Sequence, residues 1–235
     1  MDADPVMRAM FTTRRLFVVI LLTGLFTLAA RGIADPDFWW HLRTGQYIVQ
    51  THSVPHQDIY SFTNYGRPWI AHEWLSEVLI YSLYRLAGWA GLMASFAAVT
   101  TASFWLAYRR CTPDSRPYLA GVATLVAAIA TIPFWGVRPQ ILSLLLTSAF
   151  LYLLGRYRAS GNELYLWSLV PLTVLWVNLH GGYVLGLTHT DIAWLGPRTP
   201  LGAPGFWLAA IASLALASSL VTAYFLRVSR AAESN

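Results

Sequence analysis

Apolar runs long enough to cross a lipid bilayer dominate this chain, and they restrict it to folds that satisfy every backbone polar group inside the membrane. The candidate spans cover residues 16–34, 89–106, 118–135, 141–154, 164–179 and 206–225. Charged residues make up 11% of the chain, against roughly 25% in soluble domains. The sequence therefore predicts an all-α, polytopic transmembrane helical bundle with six spans, in a single membrane domain over residues 1–235.

The basic residues set the expected orientation of these spans. The chain has 16 basic residues, none of them lysine, and the arginines lie beside the apolar runs. Arg14 and Arg15 precede the first run, which we interpret as an uncleaved span, and the positive-inside rule then places both termini in the cytoplasm. Topology explains the net charge of +5 without a nucleic-acid partner. The single cysteine, Cys111, excludes an intrachain disulfide.

Residues 72–110 are too many for one transmembrane helix, and we expect them to divide at Gly88. Residues 72–87 have apolar side chains on one side, while Glu73, Ser76 and Glu77 fall largely on the other, which is typical of a helix lying in the outer interface. If this part crossed the membrane instead, Arg109 would face outward, against the positive-inside rule.

The first outer loop, residues 32–71, begins with an unusual cluster of chemical groups. Pro36 suits the first helical position after an Asp35 cap, and in that helix Asp37 and His41 lie one turn apart on the same face. Such a pair at a membrane surface can bind a metal or exchange protons with a substrate. The plainer interpretation makes Asp35 a cap, Asp37 a complement to the helix dipole and the tryptophans an interfacial belt.

The predicted topology places all six histidines on the outer side, together with most acidic residues and tryptophans. Chemistry or binding is therefore expected there. Longer outer loops also collect polar residues whatever their role, so the distribution alone does not decide. His180 and Arg138 favour a functional interpretation, because they lie at span ends, where a polar group is costly.

Five separated motifs resemble a group of largely uncharacterised bacterial membrane proteins, and that group is similar to the GT-C superfamily of glycosyltransferases. The resemblance covers about residues 16–188, with GT-C-like spans over 89–188. The motifs are Asp35-Pro36-Asp37-Phe38-Trp39-Trp40-His41-Leu42 with Gly45, Val54-Pro55-x-x-Asp58, Trp69-x-x-His72-Glu73-Trp74-Leu75 with Gly88, Arg138-Pro139-Gln140, and Asn178-Leu179-His180-Gly181-Gly182.

The resemblance implies a transferase in a bacterial inner membrane that takes a sugar from a polyprenyl-phosphate donor on the outer face. By the family pattern Asp37 is the first choice for the catalytic acidic residue, followed by Asp35, with His41 beside them. Asp37 and His41 are also the residues implied to hold a divalent metal cation. The implied substrate-binding residues are Trp40, Arg43, Asp58, His72, Glu73, Arg138, Gln140, Asn178 and His180.

Two other interpretations stay open. GT-C enzymes are usually longer than this chain. The alternative expectation is therefore a non-catalytic subunit of a larger membrane complex, which binds membrane lipids and packs against other membrane subunits through small residues in 209–219. A third possibility is an outer-face metal site built from His41, His72, His180 and acidic neighbours. A channel or transporter is disfavoured, because the spans have few ionisable residues in their interiors.

Overall fold

The computed structural model describes residues 12–112 and 116–184, and in these ranges the protein is helical, without a β-strand. Seven α-helices follow one another: α1 Thr13–Ala29, α2 Phe38–Thr51, α3 Trp74–Cys111, α4 Pro117–Thr131, α5 Pro139–Ser160, α6 Leu164–Trp167 and α7 Leu169–Leu179. A 3₁₀ turn, Ile132–Phe134, extends α4. Within the described ranges, three helices are long and apolar enough to cross a membrane: α3, α4 with its 3₁₀ turn, and α5. The shorter pair α6 and α7 forms a further apolar stretch.

Gly88 interrupts α3 at the position that the sequence predicted. Its φ of 61° and ψ of −164° are not helical, and a side chain there would be strained. An unbroken helix of 38 residues would be roughly 57 Å long, far more than the about 30 Å of a hydrocarbon core. The break divides α3 into a first arm, residues 74–87, and a second arm, residues 89–111.

The polar side of the first arm packs inward. Ser76 and Glu77 are completely buried, whereas Leu86 is 84% exposed. The sequence predicted the residues that share a side of this helix, but their expected exposure to water is wrong. The polar side contacts α2 and the end of α7 instead, and apolar side chains line part of the outer surface of the arm.

The core joins the helices around the second arm of α3. One buried cluster includes Leu25 of α1, Phe96 of α3 and Ala128 of α4. A second cluster joins α5 to α7, where the rings of Phe150 and Trp176 are 5.2 Å apart in an edge-to-face arrangement. These contacts hold the beginning of α5 and the end of α7 beside the first arm of α3.

Two helix boundaries differ from the sequence prediction. α2 begins at Phe38 rather than Pro36, because Asp35 Oδ1 accepts the Asp37 amide at 3.1 Å and so caps the turn that precedes the helix. The break in 164–179 falls at Ser168 rather than at Pro171, which lies in the first turn of α7, where a missing N–H costs nothing. The predicted span 206–225 lies outside the described residues.

Candidate functional site

Three histidines from distant parts of the chain meet at the carboxylate of Glu73, just before α3. His180 Nε2 lies 3.2 Å from Glu73 Oε1, and His72 Nε2 lies 3.4 Å from the same oxygen. His41 Nδ1 lies 3.7 Å from Glu73 Oε2 and 3.4 Å from Glu77 Oε1. We call these five residues the His–Glu network. It brings together the first-loop motif, the His-Glu-Trp-Leu motif and the final His-Gly-Gly motif.

The charges in this network support one another. Burial raises the pKa of Glu73, but the hydrogen bond from His72 and the charges of His180 and His41 outweigh it, so that this pKa lies below its usual 4.5. The hydrogen bond to Glu73 raises the pKa of His72 above 6.5. Burial, in contrast, lowers the pKa of His180 below 6.5. Glu73 is therefore an ionised acceptor between one histidine whose pKa is raised and one whose pKa is lowered.

A hydrogen-bond chain fixes the tautomer of His180. The Trp176 indole N–H donates to Ser143 Oγ at 2.6 Å, so the Ser143 hydroxyl is free to donate to His180 Nδ1, 2.8 Å away. The Gly182 amide also donates to that Nδ1, at 3.0 Å. Because Nδ1 accepts two hydrogen bonds, the proton of a neutral His180 is on Nε2, where it faces Glu73.

His41 and Glu77 form the deepest part of the network. Glu77 is 0% exposed and His41 is 3% exposed. A close helix approach makes this contact possible, since a Cβ added to Gly45 would lie 2.0 Å from the backbone oxygen of Glu77. Glu77 Oε1 faces His41, while its Oε2 has no hydrogen-bond partner among the described residues.

A second charged pair lies where the chain leaves α1. Arg138 Nε is 2.6 Å from Asp35 Oδ2, so the Arg-Pro-Gln turn contacts the first-loop motif. Arg31 donates from Nη1 to the backbone oxygen of Ile132 at 3.0 Å. Asp35 and both arginines line one cavity of about 530 Å³, together with residues 32–34, 36, 133 and 135–137. We call it the arginine cavity.

The other residues singled out from the sequence have local roles or lie apart. Asp37 is exposed while His41 is buried, and the His41 amide donates to the Asp37 carbonyl oxygen at 3.3 Å, which puts the two residues one turn apart. Asn178 Oδ1 accepts the Trp74 indole N–H at 3.1 Å, and Arg43 donates to Gln46 Oε1 at 2.7 Å. Gln140 is exposed at the beginning of α5.

Asp58 is occupied by its own loop. Its Oδ1 accepts the backbone amides of Tyr60 and Ser61, each at 2.9 Å, and its Oδ2 accepts the Ser61 hydroxyl at 2.5 Å. The Ser61 bonds and the Tyr60 amide lower the pKa of Asp58 below 3.8, so this carboxylate stays ionised. Its role in the structure is to shape the loop.

Sequence reasoning missed Ser143, Trp176 and Arg31 as partners of the predicted residues. Ser143 and Trp176 lie in apolar runs, where nothing in the pattern distinguishes them. Arg31 was discoverable, since it ends the first apolar run on the side where the positive-inside rule disfavours arginine.

The described residues contain no group of three histidine, cysteine, aspartate or glutamate side chains arranged to hold a metal ion. Asp37 and His41, which were predicted to share a cation, differ in burial, since one is exposed and the other is in the core. The donor set therefore does not fit the expected metal centre. The chemistry available at this end of the described helices belongs to carboxylates, imidazoles and guanidinium groups.

No protein-family model, curated protein or solved structure matches the chain.

Proposed function

We propose that this chain is a GT-C-like membrane transferase module with six spans, which takes a sugar from a polyprenyl-phosphate donor at the outer face of a bacterial inner membrane. Both termini are then cytoplasmic. The main support is that residues from four of the five motifs meet at one end of the helices: Asp35 contacts Arg138, and His41 and His180 both contact Glu73. A helical scaffold alone does not require such a concentration of charge.

The arginine cavity is the proposed site for the donor phosphate. Arg31 and Arg138 both line it, and Asp35 offsets only one of their charges, which leaves a net positive site for an anion. A guanidinium group pairs with phosphate oxygens through two parallel hydrogen bonds. On donor binding, the phosphate would share Arg138 with Asp35.

Asp37 is a better candidate for the base than Asp35. Asp35 Oδ2 is 2.6 Å from Arg138 Nε and is already engaged in this ion pair, whereas no described side chain pairs with the Asp37 carboxylate. In the proposed reaction, Asp37 takes the proton of an acceptor hydroxyl as its oxygen bonds to the anomeric carbon. The bond from that carbon to the phosphate oxygen breaks, and the departing phosphate keeps the electron pair beside the arginines.

The His–Glu network has a positioning role in this proposal. It ties His41, four residues after Asp37, to the first arm of α3 and to the residue that follows α7. Buried charged groups that contact one another restrict the geometry of the segments that bear them. The network thereby fixes the segment that contains Asp37 relative to Arg138, which caps the beginning of α5.

Lipid retention tests this function directly. The purified chain in lipid nanodiscs is released into a mass spectrometer with either undecaprenyl phosphate or undecaprenol added. We expect selective retention of the phosphate, a loss of that selectivity in Arg138→Gln and in Arg31→Gln, and no change in Arg85→Gln, whose side chain is exposed on the first arm. Equal retention of both lipids by the wild-type chain would overturn the proposal.

A second candidate function is that of a non-catalytic subunit of a larger membrane complex. The Asp35–Arg138 pair favours it, because the acid and the cation neutralise each other without any substrate. The small-residue segment 209–219, which was expected to pack against a partner, lies outside the described residues. Stoichiometric co-purification of other membrane proteins, with no sugar transfer by the assembly, would favour this candidate over the first.

A further inference from the structure

The loop between α2 and α3 borders a separate, open pocket of about 610 Å³ beside the first turn of α2. The loop doubles back on itself: the Asp58 amide donates to Arg67 O at 2.8 Å, and the Trp69 amide donates to His56 O at 2.8 Å. The pocket is lined by Trp40, Asp58, Tyr60, Asn64, Arg67 and Trp69, among others. We call it the aromatic pocket.

Three packed rings contribute to the lining. The centroids of Trp40 and Trp69 are 5.6 Å apart, and those of Tyr60 and Trp69 are 5.3 Å apart at an angle of 80°. The Tyr60 hydroxyl donates to Thr44 Oγ1 at 2.8 Å, which anchors this ring to α2. Rings packed edge-to-face hold one another in place, so the lining is preformed rather than assembled by a ligand.

The polar part of the lining combines one occupied group with groups that are not engaged. Asp58 is held by Ser61 and Tyr60, as described above, and stabilises the turn. Among the described residues, in contrast, no side chain or backbone group pairs with the Arg67 guanidinium or with the Asn64 side-chain amide. The pocket therefore offers both hydrogen-bond donors and an acceptor beside its aromatic rings.

We propose that the aromatic pocket binds the pyranose ring of a water-soluble saccharide, which serves as the acceptor of the transferred sugar. A pyranose presents a face of C–H groups that packs on an aromatic ring, and a rim of hydroxyls that need donors and acceptors. The lining supplies both in one place. Arg67 disfavours a quaternary ammonium ligand, for which aromatic pockets are also suited, because its positive charge would repel that ligand.

The aromatic pocket is distinct from the arginine cavity. The aromatic pocket and the arginine cavity share no lining residue. Asp35 and Pro36 border the arginine cavity and Trp40 borders the aromatic pocket, so Asp37 lies between the two sites in the chain. In this proposal the ligand in the aromatic pocket is a second molecule, separate from the phosphate-linked donor. Its identification as an acceptor rests on the proposed function, whereas saccharide binding itself does not.

Saturation-transfer NMR tests the binding on the full chain in nanodiscs. The probes are the methyl pyranosides of glucose, galactose, mannose and N-acetylglucosamine, with choline as the comparison ligand. We expect saturation of at least one pyranoside and not of choline. Trp69→Leu and Arg67→Gln should each weaken its binding by about tenfold, whereas Trp167→Leu, at an exposed tryptophan of α6, should leave it unchanged.

Several outcomes would overturn the inference: no pyranoside is saturated, choline is preferred, or Trp167→Leu reduces the signal as much as Trp69→Leu does. Arg67→Gln keeps the test decisive if Trp69→Leu does not fold, because Arg67 is exposed and its side chain has no described partner. Undecaprenyl phosphate retention is measured on the same variants. If pyranosides bind while the lipid phosphate does not, the saccharide site stands and the transferase function fails.

Discussion

His180 Nε2 lies 3.2 Å from Glu73 Oε1, and this single contact joins the residue after α7 to the residue before α3. Glu73 is 6% exposed, and two further histidines contact the same carboxylate. The contact therefore has consequences for stability, for pH dependence and for the geometry of the proposed site.

Replacement of Glu73 by glutamine should destabilise the fold. The change removes the charge that His41, His72 and His180 face, and leaves buried polar groups poorly paired, at a cost of about 1–3 kcal/mol. Thermal unfolding of the purified chain measures it. Glu163→Gln is the matched control, because Glu163 is exposed at the beginning of α6. Equal effects of the two variants would show that the network contributes nothing specific.

The Glu73–His72 contact should give stability a dependence on pH. The pKa of His72 is raised above 6.5, chiefly by its hydrogen bond to Glu73. Its contribution is then fully present below the unfolded value, near 6.5, and is lost as the pH rises through the higher folded value. The difference in melting temperature between wild type and His72→Gln should therefore shrink as the pH rises above 6.5. The control is His52→Asn, which removes an exposed histidine at a left-handed position. A constant difference would contradict the assignment.

Asp35 and Arg138 should show energetic coupling. Their side chains are 12% and 29% exposed, so Asp35→Asn or Arg138→Gln alone leaves a partly buried charge without its partner. The double variant removes both charges, and should be more stable than the sum of the single effects implies, by about 0.5–3 kcal/mol. Chemical unfolding of the four proteins completes this cycle. Additive effects would mean that the two charges do not interact in the folded state.

The approach of α2 to α3 depends on Gly45. A Cβ at this position would lie 2.0 Å from the backbone oxygen of Glu77, and backbone cannot move aside as a flexible side chain can. Gly45→Ala should therefore lower the free energy of unfolding by about 1–3 kcal/mol. It should also move His41 away from Glu77. Gly24→Ala in α1 is the control, since no atom lies within 4 Å of its added Cβ. The midpoints of unfolding of the two variants are compared with that of the wild type. A Gly45→Ala protein as stable as the wild type would contradict the close packing of α2 on α3.

Asp37→Asn tests the assignment of the base. Asp37 is exposed and outside the His–Glu network, so the substitution should leave the melting temperature unchanged while it abolishes sugar transfer from labelled polyprenyl-phosphate donors. Asp35→Asn should instead lower the melting temperature, because it breaks the ion pair with Arg138. An active, fully stable Asp37→Asn protein would remove Asp37 from the mechanism.

Local features of this fold were predictable from the sequence, whereas the contacts between distant segments were not. Gly88 divides α3 because an excess of length and a glycine coincide, and both are visible in the chain. Amphipathic spacing indicated that Ser76 and Glu77 share a side of the first arm, but spacing does not reveal what that side contacts. Packing against α2 and the end of α7 turned an expected water-facing side into a buried one.

In the candidate site, likewise, the sequence indicated individual residues but not the contacts between them. His180 and Arg138 stood out because polar groups at span ends are costly, and Asp35 and His41 because of the cluster in the first loop. Their pairing, however, depends on the packing of helices far apart in the chain. The expected start of α2 at Pro36 failed for a local reason, since Asp35 caps the preceding turn and the helix begins at Phe38.

Trp40 lies between the aromatic pocket and the His–Glu network. The centroid of its ring lies 3.7 Å from that of His41 and 5.6 Å from that of Trp69. One indole therefore borders both the aromatic pocket and the His–Glu network. A saccharide in the aromatic pocket would therefore contact the same indole that packs on the buried imidazole. A spectroscopic label on this indole would report occupancy of the pocket at the edge of the His–Glu network.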